Sequence, residues 1–388
     1  MAVNDNVKVV RERLLAVEKA LNSVVVGHED MVSALLYASI AGEHVVFISP
    51  PGTAKTFLVK TFARLVNAQH YAYLLTKFTS YDEVFGAVDV ASLAQGSYKR
   101  NWSRLISAEV VFLDEVFKAN SAILNALLSL LQERIIYDPL TGSEVKAALH
   151  VAIGASNEIP EDGELQALYD RFALRVFSDY LNDDVLLLKA LEARWANNNG
   201  FPTAVASMDD VRTLHNYAVS LLTMVIKDFG AEVWRVYHTS FVPFIKQLRL
   251  KGVLVSDRTV IEKLPKLFAS YLVLRGVTLD NVMNAPYDLL PLLAHSPAEK
   301  AELMKALEES LGELAELSKK LEDAKKLLRA MDLASARKKL QEILDYDVST
   351  LSSKPWLKPR AEAILSSARD YMARIESIMA QLGVGEEA

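Results

Sequence analysis

Two short runs in this sequence carry the residue types that phosphate chemistry needs. The first is Ser49-Pro50-Pro51-Gly52-Thr53-Ala54-Lys55-Thr56. A phosphate loop presents converging backbone N–H groups and then the positive end of a helix. A lysine in it reaches the β/γ oxygens, and a hydroxyl binds the magnesium. Lys55 and Thr56 have those types in that order, with Pro51, Gly52, Thr53 and Ala54 as the cradle. The match to G-x-x-x-x-G-K-[ST] is imperfect, because Ser49 and Ala54 stand at its two glycines and only the internal Gly52 remains. Read alone, the run is equally well explained as a Pro/Gly turn before a helix. The second run is Asp114-Glu115, which closes the apolar stretch Val110-Val111-Phe112-Leu113. There Asp114 would hold Mg2+ through water, and Glu115 would orient and deprotonate the attacking water. Two acids ending a strand at the surface are common; two such motifs at strand ends of one sheet are less so, since ligands of these sheets bind at that edge.

Three further polar residues lie where this chemistry would use them. Asn157, in Ala155-Ser156-Asn157, can position the lytic water or serve as a turn residue before Glu158-Ile159-Pro160. Arg171, in Tyr169-Asp170-Arg171-Phe172, can stabilise transition-state charge on a neighbouring subunit's nucleotide or pair with Asp170 or Glu161. Arg258, in Ser256-Asp257-Arg258, opens a helix and can reach a phosphate across a cleft or simply pack there.

These residues require a scaffold of alternating elements. Residues 7–22 read as an amphipathic helix and residues 28–41 as a second. His44-Val45-Val46-Phe47-Ile48 reads as a strand, the loop follows it, and 55–66 is helical: one βα unit. A strand over 110–113, a helix over 121–133, a strand over 150–155 and another near 174–177 continue the alternation. That pattern implies a mostly parallel sheet covered on both faces. The expected organisation is an α/β core over 1–180 with two β-hairpin inserts, a helical lid over 181–275, a linker over 276–297 that carries Pro286, Pro291 and Pro297, and a helical arm over 298–388. Loops are expected over 197–203 and 251–256. In the arm, Leu307, Leu314, Leu317, Leu321, Ala324, Leu328 and Met331 fit a heptad stripe. A short turn over 351–355 precedes the last helix.

Composition narrows the classes. The chain has 388 residues, 43 Lys+Arg against 49 Asp+Glu, a net charge of −6, 51% hydrophobic and 24% charged residues. It is long enough for two to three domains and a sizeable core. Its acidity argues against a dedicated nucleic-acid binder. The absence of cysteine excludes disulfides, thiolate nucleophiles and Cys-ligated zinc, and fits a reducing cytoplasm. No apolar run reaches the ~18 residues of a bilayer span, and residues 1–18 lack a signal-peptide core. The seven histidines show no H-E-x-x-H spacing.

Taken together, Val26-Gly27-His28-Glu29, the loop 49–56, Phe85-Gly86, Phe112-Leu113-Asp114-Glu115, Ala122-Ile123-Leu124-Asn125, Gln132-Glu133-Arg134, Ala155-Ser156-Asn157-Glu158, Leu168-Tyr169-Asp170-Arg171-Phe172 and Ser256-Asp257-Arg258 resemble the MoxR family of AAA+ ATPases, within it most closely the RavA branch. The resemblance covers residues 24–276 well and the C-terminal helices loosely. It implies an AAA+ core with helical lid and a ring, usually a hexamer, that hydrolyses ATP to ADP with Mg2+ between subunits. By position, Lys55 and Thr56 resemble Walker A, Asp114 and Glu115 Walker B, Asn157 sensor 1, Arg171 the arginine finger given in trans, and Arg258 sensor 2. Val26 and Gly27 would lie along the adenine, and Thr76 would be a switch contacting the catalytic Glu115. RavA proteins also carry a β-rich insert among their C-terminal helices, for which the turn 351–355 is too short.

The hairpins of this clade are expected within 86–102 and 135–148, pointing into the pore, with Tyr98, Lys99, Arg100 and Trp102 able to grip a chain. The leading reading is a chaperone-like remodeller of a protein client, working with a von Willebrand factor A domain partner as the resemblance implies. The alternatives are a nucleic-acid translocase, a nucleotide-controlled scaffold, and a chelatase motor whose metal belongs to a partner.

Overall fold

The computed structural model describes residues 5–182, 184–195, 203–227, 230–250, 252, 255–329, 331–349 and 358–382. Most of the loops expected over 197–203 and 251–256, and the whole turn 351–355, lie outside the described residues.

Two helices, α1 (Asp5–Val24) and α2 (Glu29–Ala41), precede β1 (Val45–Ile48). Next come α3 (Lys55–Leu65), β2 (His70–Leu74), α4 (Tyr81–Phe85), α5 (Val90–Ala94) and β3 (Val110–Asp114). A 3-10 turn over Val116–Lys118 leads to α6 (Ser121–Glu133), β4 (Ile135–Tyr137), β5 (Glu144–Lys146), β6 (Val151–Ser156), α7 (Gly163–Tyr169) and β7 (Leu174–Phe177). Then follow α8 (Asp184–Trp195), α9 (Met208–Leu221), the short β8 (Val225–Ile226) and β9 (Ala231–Glu232), α10 (Val233–Leu250), a π-helical turn over Thr259–Lys263, and α11 (Leu264–Arg275). The chain closes with α12 (Leu279–Leu289), a 3-10 turn over Leu290–Leu293, α13 (Pro297–Arg329), α14 (Leu333–Leu344) and α15 (Lys358–Leu382).

The chain forms two compact units. The first comprises Met1–Trp234, Val255–Gly276 and Leu292–Pro297; the second comprises Arg235–Leu254, Val277–Pro291 and Ala298–Ala388. In the first, five parallel strands lie in the order β2-β3-β6-β1-β7. β1, β3 and β6 are apolar runs buried along almost their whole length, as a sheet covered on both faces demands. The edge strand β2 alternates exposed and half-buried residues instead. One core cluster joins Val46, Leu113, Leu127, Ala152 and Phe172 from strands and covering helices. Helices α9 and α11 belong to this unit as well. The histidine before β1, His44, is fully buried; it accepts the Ala152 N–H at 2.9 Å and bonds the Leu131 carbonyl at 2.9 Å, so burial holds it neutral, well below the ordinary imidazole pKa.

The two inserts differ from each other. The second is a hairpin, β4 against β5, closed over 138–143. The first is not a regular hairpin. Its arms meet only at the Val88–Arg100 bridge, and its far end is the short helix α5, capped by the Asp89 carboxylate. Gly86 is required at its base (φ 112), where a Cβ would stand 2.1 Å from the Asn101 carbonyl oxygen.

In the second unit, α13, α14 and α15 pack around Leu314, Leu317, Leu321, Ala324, Leu340, Ile364 and Ala368. The expected stripe holds through Leu328, but Met331 leaves it, standing exposed in a left-handed turn residue (φ 62) after α13. The stretch 276–297 is not an irregular linker. Thr278 caps α12 through the Asn281 N–H, and Val282, Ala285 and Leu289 are buried at helical spacing despite Pro286.

Candidate active site

β1 hands the chain to the loop at Ser49, whose N–H donates to the Ser156 carbonyl at 3.0 Å. Thr53 Oγ1 donates to the Pro50 carbonyl at 3.0 Å, which leaves the buried Ser49 hydroxyl to donate to Thr53 at 2.7 Å. Lys55 Nζ folds back on this loop. It donates to the Ser49 carbonyl (2.6 Å), Ser49 Oγ (3.0 Å) and the Pro50 carbonyl (3.0 Å). Burial holds its pKa below the ordinary lysine value, against the pull of the Asp114 and Glu115 charges. Ala54 adopts the left-handed conformation (φ 62) that glycine takes more cheaply, and no side chain caps the start of α3. Thr56 is exposed in the first turn, and nothing lies within 4 Å of where a Gly52 Cβ would be. An ammonium with only loop acceptors and an amide oxygen, an open helix start and a free space above Gly52 fit a phosphate chain. Thr56 and Asp114 would hold its magnesium.

β3 delivers the acids. Glu115 N–H donates to Asp114 Oδ1 at 3.1 Å, and Glu115 itself sits at φ 52, so the chain turns sharply as the strand ends. Asn157, one residue past β6, donates from Nδ2 to Glu115 Oε1 at 2.7 Å, and its Oδ1 accepts from Lys55 at 3.4 Å. Glu115 Oε2 is buried, lies 3.2 Å from Lys118 Nζ, and accepts no well-aligned hydrogen bond. Burial raises the Asp114 carboxyl above its ordinary range, Glu115 adds to this, and the Glu115 N–H, Lys55 and Lys118 oppose it. The structure thus brings Lys55, Asp114, Glu115 and Asn157 into one cluster at the C-terminal edge of the sheet.

Val26 and Gly27 lie at the same edge. His28 Nδ1 bonds Ser178 Oγ at 2.8 Å, and Ser178 N–H donates to the Ile48 carbonyl, the last residue before the loop. Gly27 packs so closely on Leu181 that a Cβ would meet its side chain at 2.4 Å. Thr76 is elsewhere engaged: its hydroxyl lies 3.0 Å from Thr79 Oγ1 and accepts the Phe78 N–H. The glutamate's polar partner is Asn157, not Thr76.

Arg171 and Arg258 are not in this cluster. β7 runs parallel to β1 with Leu174 beside Val45, and Ala173 N–H donates to the His44 carbonyl. Arg171 therefore precedes the start of β7, and the whole of β1, about 13 Å at ~3.3 Å per residue, separates that edge from the loop. Arg258 lies beside Arg171: burial, and after it the Arg258 charge, lowers the Arg171 pKa, while Asp170 opposes them. Arg171 Nε is buried with no hydrogen-bond partner among the described residues. Arg258 pairs with Glu262 at 3.1 Å.

The inserts' polar residues are largely committed internally. Arg100 is buried, donating to Asp82 (2.6 Å) and Asp138 (2.9 Å) and lying over the Tyr81 and Trp102 rings. Tyr98 donates to Asp138 at 2.6 Å. Neither is free to grip a chain; Lys99 is exposed. Hydrogen bonds from Tyr98, the Leu140 N–H and Arg100 outweigh burial and pull Asp138 down to about 2. Sequence reasoning passed over the Ser49 hydroxyl as an acceptor for Lys55, and also Lys118. The one signal for Lys118 was its spacing three residues after Glu115. Beside Asn157 an open depression of about 760 Å³ runs between Phe117–Lys118 and residues 158–162. Among the described residues no helix is long and apolar enough to cross a membrane, and no His/Cys/Asp/Glu group could hold a metal by itself.

A five-stranded parallel sheet with the Lys55 loop after β1, the acid pair after the neighbouring-but-one strand and Asn157 after the strand between them is the arrangement of the AAA+ class. The chain belongs to the MoxR family: the model of the MoxR domain in the MoxR-vWA-beta-propeller ternary systems matches residues 12–216, more than half of the chain. It is similar to two uncharacterized proteins of Methanocaldococcus jannaschii. One is 34% identical over 245 residues (62% of this chain, 61% of the relative) and the other 40% identical over 169 residues (43% and 44%). The chain thus spans less than two thirds of these relatives' length. The fold is shared with a crystal structure of a candidate ATPase from Cytophaga hutchinsonii, at TM-score 0.58 and 19% identity, covering 78% of this chain and 96% of that one.

Proposed function

We propose that this chain hydrolyses ATP to ADP with Mg2+ at a site completed by a neighbouring copy, and that the assembly, a hexameric ring as in the family, remodels a protein client. The observation that carries this reading is the separation of the two half-sites. Lys55, Asp114, Glu115 and Asn157 lie at one edge of the sheet, and Arg171 lies at the other with Arg258 beside it. One chain cannot bring its own arginines to its own loop across β1, but two copies can. Both arginines then serve the neighbour's nucleotide.

Lys55 leaves its loop acceptors, the Ser49 and Pro50 carbonyls and the Ser49 hydroxyl, for the β/γ oxygens. The metal, when bound, neutralises charge building on the phosphates. Asn157 fixes the Glu115 carboxylate at Oε1, and Oε2, 3.2 Å from Lys118 Nζ, takes the proton from water. Arg171 supplies positive charge as the bond to the leaving phosphate stretches.

The von Willebrand factor A domain partner is supported by the family description, which names such systems. Kinship to the RavA branch rests on the loop residues, with Ala54 before the lysine. The ion-paired burial of Arg100 favours a protein client over a nucleic acid, since only Lys99 of that pair remains to meet phosphates. We place the work in the cytoplasm.

Steady-state turnover per subunit, measured over a wide protein concentration range with Mg2+, should rise and then plateau. Lys55→Ala and Arg171→Ala should each be inactive alone and regain activity when mixed. A mixture as dead as its components would overturn the shared site.

A further inference from the structure

We infer that Lys263 is a positioning residue for Arg171, and that the π-helical turn it ends is the device that sets both arginines at once. This rests on the proposed role of Arg171 in the neighbour's site.

The cause lies in the sequence. Pro265 has no N–H and cannot donate to the carbonyl four residues back, Ile261. The segment widens instead: Thr259–Lys263 is π-helical, and Leu264 N–H bonds the Thr259 carbonyl, five residues back. Ser256 fixes its start, accepting the Thr259 N–H at 3.2 Å. In an ordinary α-helix residues five apart diverge onto different faces. The i→i+5 pattern stacks them, so Arg258 and Lys263 can face the same turn of chain.

That turn is Asp170-Arg171. Lys263, 6% exposed, donates Nζ to the Asp170 carbonyl, and the Arg258 charge acts on Arg171 in the same turn. Asp170 is held from other sides: Arg175 Nη2 lies 3.4 Å and His295 Nε2 3.3 Å from its Oδ1, and Arg175 Nη2 also donates to the Tyr169 carbonyl at 3.3 Å. The backbone of the turn is thus pinned, while the half-buried Arg171 side chain, its Nε buried without a hydrogen-bond partner among the described residues, is held by no such bond at that atom. Burial lowers the Lys263 amine to about 8, Glu43 holding it up and Arg175 and Arg258 pressing it down, so it stays mostly charged at neutral pH. A buried amine on a rare helical form, spent on one carbonyl beside a functional arginine, gains its purpose from that arginine's aim.

The test is trans complementation. Lys263→Met should lower turnover about ten- to a hundredfold, as small misplacements of a charged group do, and leave nucleotide binding unchanged. Mixed with Lys55→Ala, it should regain turnover as Arg171→Ala does, because its own loop and acids are intact. The double variant Lys263→Met/Arg171→Ala should be no slower than Arg171→Ala alone. Pro265→Ala, which restores the missing N–H and lets the turn tighten, should give the same rescued loss. Wild-type turnover in both Lys263→Met and Pro265→Ala, or a loss that mixing does not rescue, would overturn the positioning role. Full turnover in Arg171→Ala would instead overturn the reading beneath it.

Discussion

The loop departs from the usual phosphate-binding pattern at two residues, and the structure separates their consequences. Ser49 adds something: its hydroxyl is a third acceptor for Lys55. Ala54 carries a penalty, since an L-residue in the left-handed region costs roughly 1–2 kcal/mol. Ala54→Gly removes that strain and loosens the unfolded chain by somewhat less. The substitution should therefore stabilise the protein by about 0.5–1 kcal/mol in urea unfolding, with turnover unchanged. A loss of stability would show that Ala54 is not strained. The loop, Asp114 and Glu115 were legible in the sequence because each motif is local, a strand end followed by a turn and a helix. The Lys263 contact was not: its partner is 93 residues away, and only a π-helical turn brings them together. Thr76 misled for a related reason. It follows β2 closely, but Thr79, three residues on, engages its hydroxyl.

At the scale of elements, the inserts are two pieces joined by one buried cation. Arg100 reaches Asp82 at a separation of 18 residues and Asp138 at 38, and Tyr81 donates to the Tyr137 carbonyl at 2.9 Å. Neither distance is visible to periodicity, which is why Tyr98 and Arg100 read as exposed grips. The side chains of Arg100 and Asp138 are almost wholly inaccessible, so removing either leaves a buried charge behind. Arg100→Met or Asp138→Asn should each cost about 3–5 kcal/mol. Arg100→Met with Asp138→Asn should cost clearly less than the sum of the single changes. Strict additivity in thermal unfolding would deny the pairing. The prolines of 276–297 misled in the opposite sense: Pro286 reads as a break, yet the Thr278 cap and three buried apolar residues carry α12 through it.

At the scale of the molecule, two units with separate cores predict two unfolding events. The residues proposed to hold nucleotide all lie in the first. In calorimetry, ATP analogue at 100 times its Kd should raise the first unit's stability by about 2.7 kcal/mol and leave the other transition in place. One transition that moves as a whole would deny their independence. The sequence changes character after the last strand, but the helices' allegiance cannot be read there, because α9 and α11 join the sheet's unit across long stretches of chain. The parallel register of β1 and β7 reaches furthest. On the proposed shared site it gives every copy one accepting and one donating edge, and copies joined head to tail always leave one of each unpaired. Assembly then ends only where the rotation per copy closes on itself, and otherwise runs on as a filament. One copy lacking Arg171 spoils the site of the copy beside it and keeps its own, so in a mixed population each such copy silences one site that is not its own.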